Sequence, residues 1–142
     1  MILIDVNVLV YAKRLDSPNH AKYRSWLEGI VQSDSIVGIS DIILNGVVRI
    51  LTHPRIFSVP TEIDEALEYV DWLRDHSGCV PVLPGERHWG IFMRLCKLSG
   101  AKGNIVSDAY LAALAIESGA EWITADRDFA RFPGLRWRHP LA

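Results

Sequence analysis

The residues in this chain that are suited to chemistry are aspartates. Four of them stand at the end of a short apolar segment or near the start of one: Asp5, Asp108, Asp126 and Asp128. Carboxylates brought within a few ångströms repel one another and raise at least one pKa, unless a cation neutralises them. Oxygen ligands without nearby His or Cys favour a hard ion such as Mg²⁺ or Mn²⁺, with waters completing its shell. Such an ion can lower the pKa of a water and stabilise the charge on a phosphoryl group during in-line attack.

Short apolar segments predict the strands that would position these acids. Apolar runs without polar alternation are typical of strands buried on both faces of a parallel sheet. The predicted strands are residues 1–4, 36–39, 79–83, 122–125 and an edge strand at 135–137. Pro81 has no N–H to donate, so the third of these strands should also lie at a sheet edge.

Helical patterns alternate with these strands. They cover residues 8–12, 20–31, 40–51, 61–73, 89–98 and 105–117. The alternation predicts the α/β class, with three layers and a mainly parallel central sheet flanked by helices. Right-handed crossovers would bring the carboxyl ends of all the strands to one edge. Asp5 and Asp126 follow strands at that edge, and the helix that carries Asp108 can begin there.

Two of the aspartates also have purely structural explanations. Asp5 can cap the helix that follows it, since Asp is a favoured N-cap residue. Asp108 is predicted in the first turn of a helix capped by Ser107 or Asn104, where the helix dipole favours a negative charge. Sequence alone leaves the cap and the site as alternatives at both positions.

Length and composition fit one domain spanning residues 1–142. Of the 142 residues, 49% are hydrophobic, which is enough for a substantial core. No apolar run approaches a membrane span and no export signal is visible, so we expect a cytoplasmic protein without a membrane partner. Cys79 and Cys96 lack the spacing of a metal or disulfide motif, and we expect buried free thiols.

Charge is distributed unevenly along the chain. The formal net charge is only −2, which argues against nonspecific polyanion binding by the whole surface. Residues 62–75 hold six acids against the single base Arg74, whereas bases predominate from Arg87 onward. A basic rim around an acidic pocket would suit a phosphodiester substrate.

Three segments resemble the signature blocks of PIN-domain ribonucleases, with VapC toxins of prokaryotic toxin–antitoxin pairs as the most similar group. They are residues 3–12, 107–115 and 124–129. The resemblance extends to residues 49–57, 87–89 and 132–137, so it covers nearly the whole chain. Each block alone has low specificity, but all three in order at this chain length are a specific pattern.

The resemblance implies a PIN-like fold and an endoribonuclease that needs Mg²⁺ or Mn²⁺. It also implies a homodimer that is silenced by a cognate antitoxin, whose tail would occupy the acidic pocket. By position, Asp5 and Asp108 correspond to metal ligands, and Asp126 to a further catalytic acid. Asn7 corresponds to a polar residue that supports Asp5, and Asp128 to a more distant acid.

One position departs from the family pattern. The third helix usually contributes a glutamate, but Gly46 stands there, beside Asn45. Asp41 is five residues earlier and, at about 100° per residue, points to a different face, so the role of the glutamate is not transferred to it. The predicted site is one carboxylate short, which leaves one or two bound metals as alternatives.

Two other classes of function remain compatible with the acids. A receiver-type signalling domain also binds Mg²⁺ at an acidic sheet edge, but it needs a lysine on a late strand, where this chain has Arg127 and Arg131. A non-catalytic interaction domain would use the acids as caps. Trp89, Trp122 and Trp137 favour core or edge packing over base stacking, and His88 is a candidate RNA contact.

Overall fold

Five short strands form one sheet in this protein, whose computed structural model describes residues 1–142. They are β1 (Ile2–Ile4), β2 (Val37–Ile39), β3 (Cys79–Pro81), β4 (Glu121–Ile123) and β5 (Trp137–Arg138). The order is β3-β2-β1-β4-β5, and every neighbouring pair is parallel.

Six α-helices and one 3₁₀ helix connect the strands. The helices are α1 (Val6–Lys13), α2 (His20–Gln32), α3 (Asp41–Leu51), α4 (Ile63–Asp75), α5 (His88–Ser99) and α6 (Asn104–Ser118), and the 3₁₀ helix is Arg127–Arg131. The helices form two groups. In the first, α1 packs on α2 and α3, and α3 packs on α4; in the second, α5 packs on α6. Parallel strands need such crossovers, so the predicted α/β architecture is confirmed.

The two central strands carry the part of the core that supports the candidate site. Leu3 and Trp122 are completely buried on β1 and β4, and their Cα atoms pair in register. Ala109, Ala112 and Ala113 of α6 are also completely buried, because alanine lets a helix backbone approach its neighbours closely. The backbone N–H of Asp5 donates to the carbonyl of Ile123 over 2.8 Å, which aligns the ends of the two strands.

The structure corrects the predicted start of one helix and the predicted packing of one tryptophan. Helix α6 begins at Asn104 after an N-cap at Gly103, whose φ of +56° suits glycine. Asp108 therefore lies in the second turn, and the helix-dipole explanation does not account for it. Trp89 is 60% exposed rather than packed in the core, whereas Trp122 is buried as expected.

Other expectations can be compared directly with the structure. Cys79 and Cys96 are free, as predicted, although each is only half-buried. None of the helices has both the length and the apolar character that a membrane span requires.

Candidate functional site

Asp5 is both a helix cap and a lining residue of a cavity. Its Oδ1 accepts a hydrogen bond of 2.7 Å from the backbone N–H of Val6, at the start of α1. Its Oδ2 accepts one of 2.7 Å from the hydroxyl of Thr124. Only 7% of the residue is exposed, and burial, assisted by the charges of Asp108 and Asp126, raises its pKa from 3.8 to about 6. The cap role that the sequence allowed for Asp5 is thus confirmed, and the same residue also lines a cavity.

Thr124 organises the end of β4, and sequence reasoning missed it. It is completely buried. A hydroxyl has one proton, which it donates to Asp5, while its oxygen accepts from the backbone N–H of Asp126 at 3.0 Å and from Asn7 Nδ2 at 3.4 Å. The other end of the Asn7 amide accepts from the N–H of Ala125 at 3.3 Å. The sequence signal for this role was the position of the Thr124 hydroxyl between an apolar strand and Asp126. A hydroxyl buried there needs hydrogen-bond partners, and nearby acids and backbone groups can supply them.

Asp5, Asp108 and Asp126 line one cavity of about 610 Å³, named here the aspartate cavity. Asp5 follows β1, Asp108 lies on α6, and Asp126 caps the 3₁₀ helix by accepting from the N–H of Asp128 at 2.9 Å. Partial burial raises the pKa of Asp108, and the charge of Asp126 raises it further, while Arg131 opposes the shift. Three acids that are distant in sequence therefore share one electrostatic environment.

The two supporting residues predicted from sequence occupy different positions. Asn7 lines the aspartate cavity and links α1 to the end of β4. Asp128 is exposed outside the lining and lies 3.5 Å from the guanidinium of Arg131. Its charge nevertheless contributes to the raised pKa of Asp108. Asp128 therefore acts on the cavity through its charge rather than by lining it.

The donor chemistry of the aspartate cavity fits a hard cation. Its lining contains no Lys, Arg or His. Asp16, which also lines the cavity, is paired with Arg14, and Arg131 partly offsets the charge near Asp108, but no basic side chain lies among Asp5, Asp108 and Asp126 in the lining. No group of three or more His, Cys, Asp or Glu side chains is arranged to hold a metal by itself. Mg²⁺ is commonly bound by one or two carboxylates with waters in the remaining positions, so two of the aspartates that line the cavity would supply enough protein ligands.

Gly46 lies beside the aspartate cavity rather than in its lining. It borders a second cavity of about 410 Å³, together with Arg49 and Ile42. A Cβ added at Gly46 would lie 2.9 Å from Cγ2 of Val6, the residue that follows Asp5. Asp41 faces elsewhere and lies 3.3 Å from Arg74, so it does not replace the missing glutamate.

We expect Gly46→Ala to lower the free energy of unfolding by about 1 kcal/mol. Overpacking against the stiff side chain of Val6 costs about 1–3 kcal/mol and outweighs the gain of up to about 1 kcal/mol in helix propensity. Urea unfolding measures the difference. Gly29→Ala is the matched control, since a Cβ at Gly29 of α2 meets nothing within 4 Å and should stabilise the protein. Equal effects of the two changes would contradict close packing at Gly46.

His88 is not available as an RNA contact, so that prediction is wrong. The residue is buried, and its Nε2 lies 3.0 Å from the backbone carbonyl of Tyr110 on α6. Its ring also packs against Tyr110 and Phe92, with centroids 4.4 and 6.5 Å away. His88 joins α5 to α6.

Replacing Thr124 with valine is expected to destabilise the protein by about 1–3 kcal/mol. Valine keeps the shape but leaves the N–H of Asp126 without its partner and removes the hydroxyl donor from Asp5. The pKa of Asp5 should rise further, because the Thr124 hydrogen bond lowers it. Chemical denaturation and NMR titration of the Asp5 carboxyl measure the two effects. Thr124→Ser retains the hydroxyl and should change the free energy of unfolding and the pKa of Asp5 by less than half as much as Thr124→Val. Larger changes with Thr124→Ser than with Thr124→Val would exclude the hydroxyl of Thr124 as the group that holds Asp5 and Asp126.

Comparison with known proteins identifies relatives along nearly the whole chain. The PIN domain family matches residues 2–135. Ribonuclease VapC43 from Mycobacterium tuberculosis is 47% identical over 141 residues, which cover 99% of this chain and 96% of that protein. Ribonuclease VapC25 from the same species is 35% identical over 140 residues, or 99% of each chain.

Solved structures show the same fold at lower identity. VapBC2 from Rickettsia felis, bound to a promoter DNA fragment, superposes with a TM-score of 0.70 at 22% identity over 98% of each chain. VapC20 from Mycobacterium tuberculosis, a toxin that cleaves the sarcin-ricin loop, gives a TM-score of 0.68 at 14% identity, over 96% of this chain and 99% of that one.

Proposed function

Because the chain belongs to the PIN-domain family, with VapC ribonucleases as relatives along its length, we propose that it hydrolyses phosphodiester bonds of RNA at the aspartate cavity. It is the toxin endoribonuclease of a toxin–antitoxin pair. The observation that carries the location is the convergence of Asp5, Asp108 and Asp126 from three separate elements on one cavity without a basic residue in its lining.

Each aspartate has a distinct task in this proposal. Asp5 and Asp108 hold a divalent cation, Mg²⁺ or Mn²⁺, through their carboxylate oxygens. When bound, such an ion supplies a nucleophile at neutral pH and offsets the negative charge of the phosphoryl oxygens. Asp126 orients the attacking water, and Asp128 adds negative charge near Asp108. The protein thus provides fixed oxygen ligands and a strongly negative pocket.

Hydrogen bonds hold Asp5 in position for this task. Val6 N–H and the Thr124 hydroxyl occupy one lone pair on each carboxylate oxygen and leave the others free for a ligand. Asn7 fixes the end of β4 against α1 and so holds the strand that carries Thr124. Such partners orient a metal-binding carboxylate and are typical of metal sites.

Cleavage of a random-sequence RNA pool by the purified protein in Mn²⁺ tests the proposal. Asp108→Asn should reduce the rate by roughly 100-fold or more, because loss of a metal ligand removes several kcal/mol of transition-state stabilisation. Asp34→Asn is the matched control, since residue 34 is exposed and outside the aspartate cavity. Equal cleavage by wild type and Asp108→Asn would exclude the aspartate cavity as the site.

The macromolecular partners follow from the same assignment. RNA is the substrate, and a cognate antitoxin is the protein partner that silences the enzyme. Co-expression with the product of the adjacent upstream reading frame should yield a stable complex without ribonuclease activity. The homodimer inferred from the resemblance stays a prediction, and light scattering of the purified chain tests it.

A further inference from the structure

The aspartate cavity extends well beyond its acids. A volume of about 610 Å³ is in the range of a small-molecule site, and a cation with its waters would fill only part of it. The remaining lining includes an apolar end, formed by Val10 and Tyr11 of α1 and by Ile50, Ile56 and Phe57 from the end of α3 and the loop after it. This apolar end has no role in binding a metal ion, so it is available to the substrate.

Arg14 holds the aromatic ring in this apolar end. Its guanidinium carbon lies 4.0 Å from the centroid of the Phe57 ring. Nε and Nη2 donate to the carboxylate of Asp16 over 2.9 and 2.7 Å, and Nη1 donates to the carbonyl of Val59 over 2.8 Å and to Thr61 Oγ1 over 3.3 Å. Phe57 lines the cavity, whereas Arg14 does not.

These contacts determine what Arg14 contributes. Its charge is paired with Asp16, and Nε and both terminal nitrogens donate to protein acceptors, so it is a poor phosphate ligand. The cation–π contact instead supports the Phe57 ring from one side, and the bidentate ion pair with Asp16 holds Arg14 in place for that contact. An aromatic surface that is supported by a neighbouring side chain within a nuclease cavity is suited to a nucleobase, because every base can stack on such a surface.

We propose that the apolar end of the aspartate cavity is a nucleobase subsite, in which a base next to the scissile phosphate stacks on Phe57 between Ile56 and Tyr11. The inference rests on the proposed nuclease function, because it places the substrate of that same cavity. Phe57 contacts the substrate, and Arg14 is a positioning residue that acts through Phe57. The subsite selects single-stranded RNA, whose unpaired bases are free to stack on protein side chains.

Binding of small nucleotides tests the subsite without any cleavage step. The probes are the four ribonucleoside 3′,5′-bisphosphates, compared with ribose 3,5-bisphosphate, in Mg²⁺ and with ¹³C-labelled phenylalanine. We expect the ring signals of Phe57 to shift upfield with base-bearing probes only, while those of Phe92, outside the aspartate cavity, stay unchanged. Equal binding of the probes with and without a base would overturn the proposal.

Substitutions locate the effect. Phe57→Ala should weaken binding of the nucleoside bisphosphates roughly tenfold and leave ribose bisphosphate binding unchanged. Phe57→Leu keeps an apolar side chain without the aromatic face and should weaken binding of the nucleoside bisphosphates by a similar factor. Phe57→Trp keeps an aromatic face and should bind them about as well as wild type. Trp89→Ala is the control, since Trp89 is an exposed aromatic residue outside the aspartate cavity. Weakening by Trp89→Ala but not by Phe57→Ala would place base stacking elsewhere and overturn the proposal.

Cleavage of the random RNA pool separates this inference from the nuclease assignment. Phe57→Ala should raise KM roughly tenfold and change kcat by less than about threefold. If wild type cuts no RNA but nucleoside bisphosphates still depend on Phe57, the nuclease assignment fails and the subsite stands. If wild type and Phe57→Ala cut with the same KM, the subsite fails and the nuclease assignment stands.

Discussion

Replacing Asp5 with asparagine is expected to abolish RNA cleavage and at the same time to stabilise the metal-free protein at pH 7. An ionised carboxylate that is only 7% exposed and has a pKa raised from 3.8 to about 6 costs about 3 kcal/mol at neutral pH. Asparagine removes that charge and can still accept from Val6 N–H, but it disturbs the hydrogen bond from Thr124, which is worth about 1 kcal/mol. We therefore expect a net gain of about 2 kcal/mol.

Urea unfolding in EDTA and cleavage of the RNA pool in Mn²⁺ measure the two effects on the same preparations. Asp34→Asn serves as the control and should change the free energy of unfolding by less than about 0.5 kcal/mol, because residue 34 is exposed. A destabilised Asp5→Asn variant would show that the charge of Asp5 is compensated in the metal-free protein. Undiminished cleavage by this variant would remove Asp5 from the site.

This opposition between stability and activity has a clear origin in the fold. The ends of β1 and β4 place Asp5 in the interior, and the neighbouring Asp108 and Asp126 add repulsion instead of compensation. A protein selected for stability alone would place a neutral side chain here. Residues that violate the rules of core packing are expected where a function requires them.

Elements of the fold were predictable because local signals and the tertiary structure agree. Apolar segments without alternation became buried parallel strands, and Pro81 marked an edge strand because a missing N–H rules out a central position. The convergence of Asp5 and Asp126 followed from parallel topology alone, since both acids directly follow strands. Helix periodicity over residues 40–51 placed α3 to within one residue, since the helix spans Asp41–Leu51 after its N-cap Ser40.

Details that depend on register or on distant neighbours were not predictable. The role of Thr124 requires the pairing of Ile4 with Ile123, which brings its hydroxyl to Asp5 from 119 positions away in sequence. The apolar pattern around Trp89 did not reveal its exposure, because periodicity does not show which helix face remains uncovered. The helix start before Asp108 was displaced because Gly103 adopts a positive φ that sequence reasoning did not anticipate.

Between pH 4 and 6, the effect of Asp5 on stability is expected to change sign when a divalent ion is added. In the metal-free protein, the folded state has the higher pKa and holds a proton that the unfolded chain has released. This contribution is complete below about pH 4 and is lost as the pH rises through about 6. A bound cation requires the ionised carboxylate, so in saturating Mn²⁺ stability should instead rise through the same range. Burial also raises the pKa of Asp108, so Asp108 should add to the fall in stability with pH in the metal-free protein and to the rise with pH in Mn²⁺.

The difference in free energy of unfolding between wild type and Asp5→Asn isolates this contribution from that of the other acids. From pH 4 to 7 in EDTA, the stability of wild type relative to Asp5→Asn should fall by about 2.4 kcal/mol. In Mn²⁺ at 100 times its dissociation constant, wild type should gain about 2.7 kcal/mol at pH 7, and Asp5→Asn much less. Ca²⁺ is a suitable second ion, because it binds oxygen ligands with looser geometry and should reproduce the trend more weakly. An identical pH dependence with and without ions would mean that Asp5 holds no cation, and Asp5 would then be a helix cap alone.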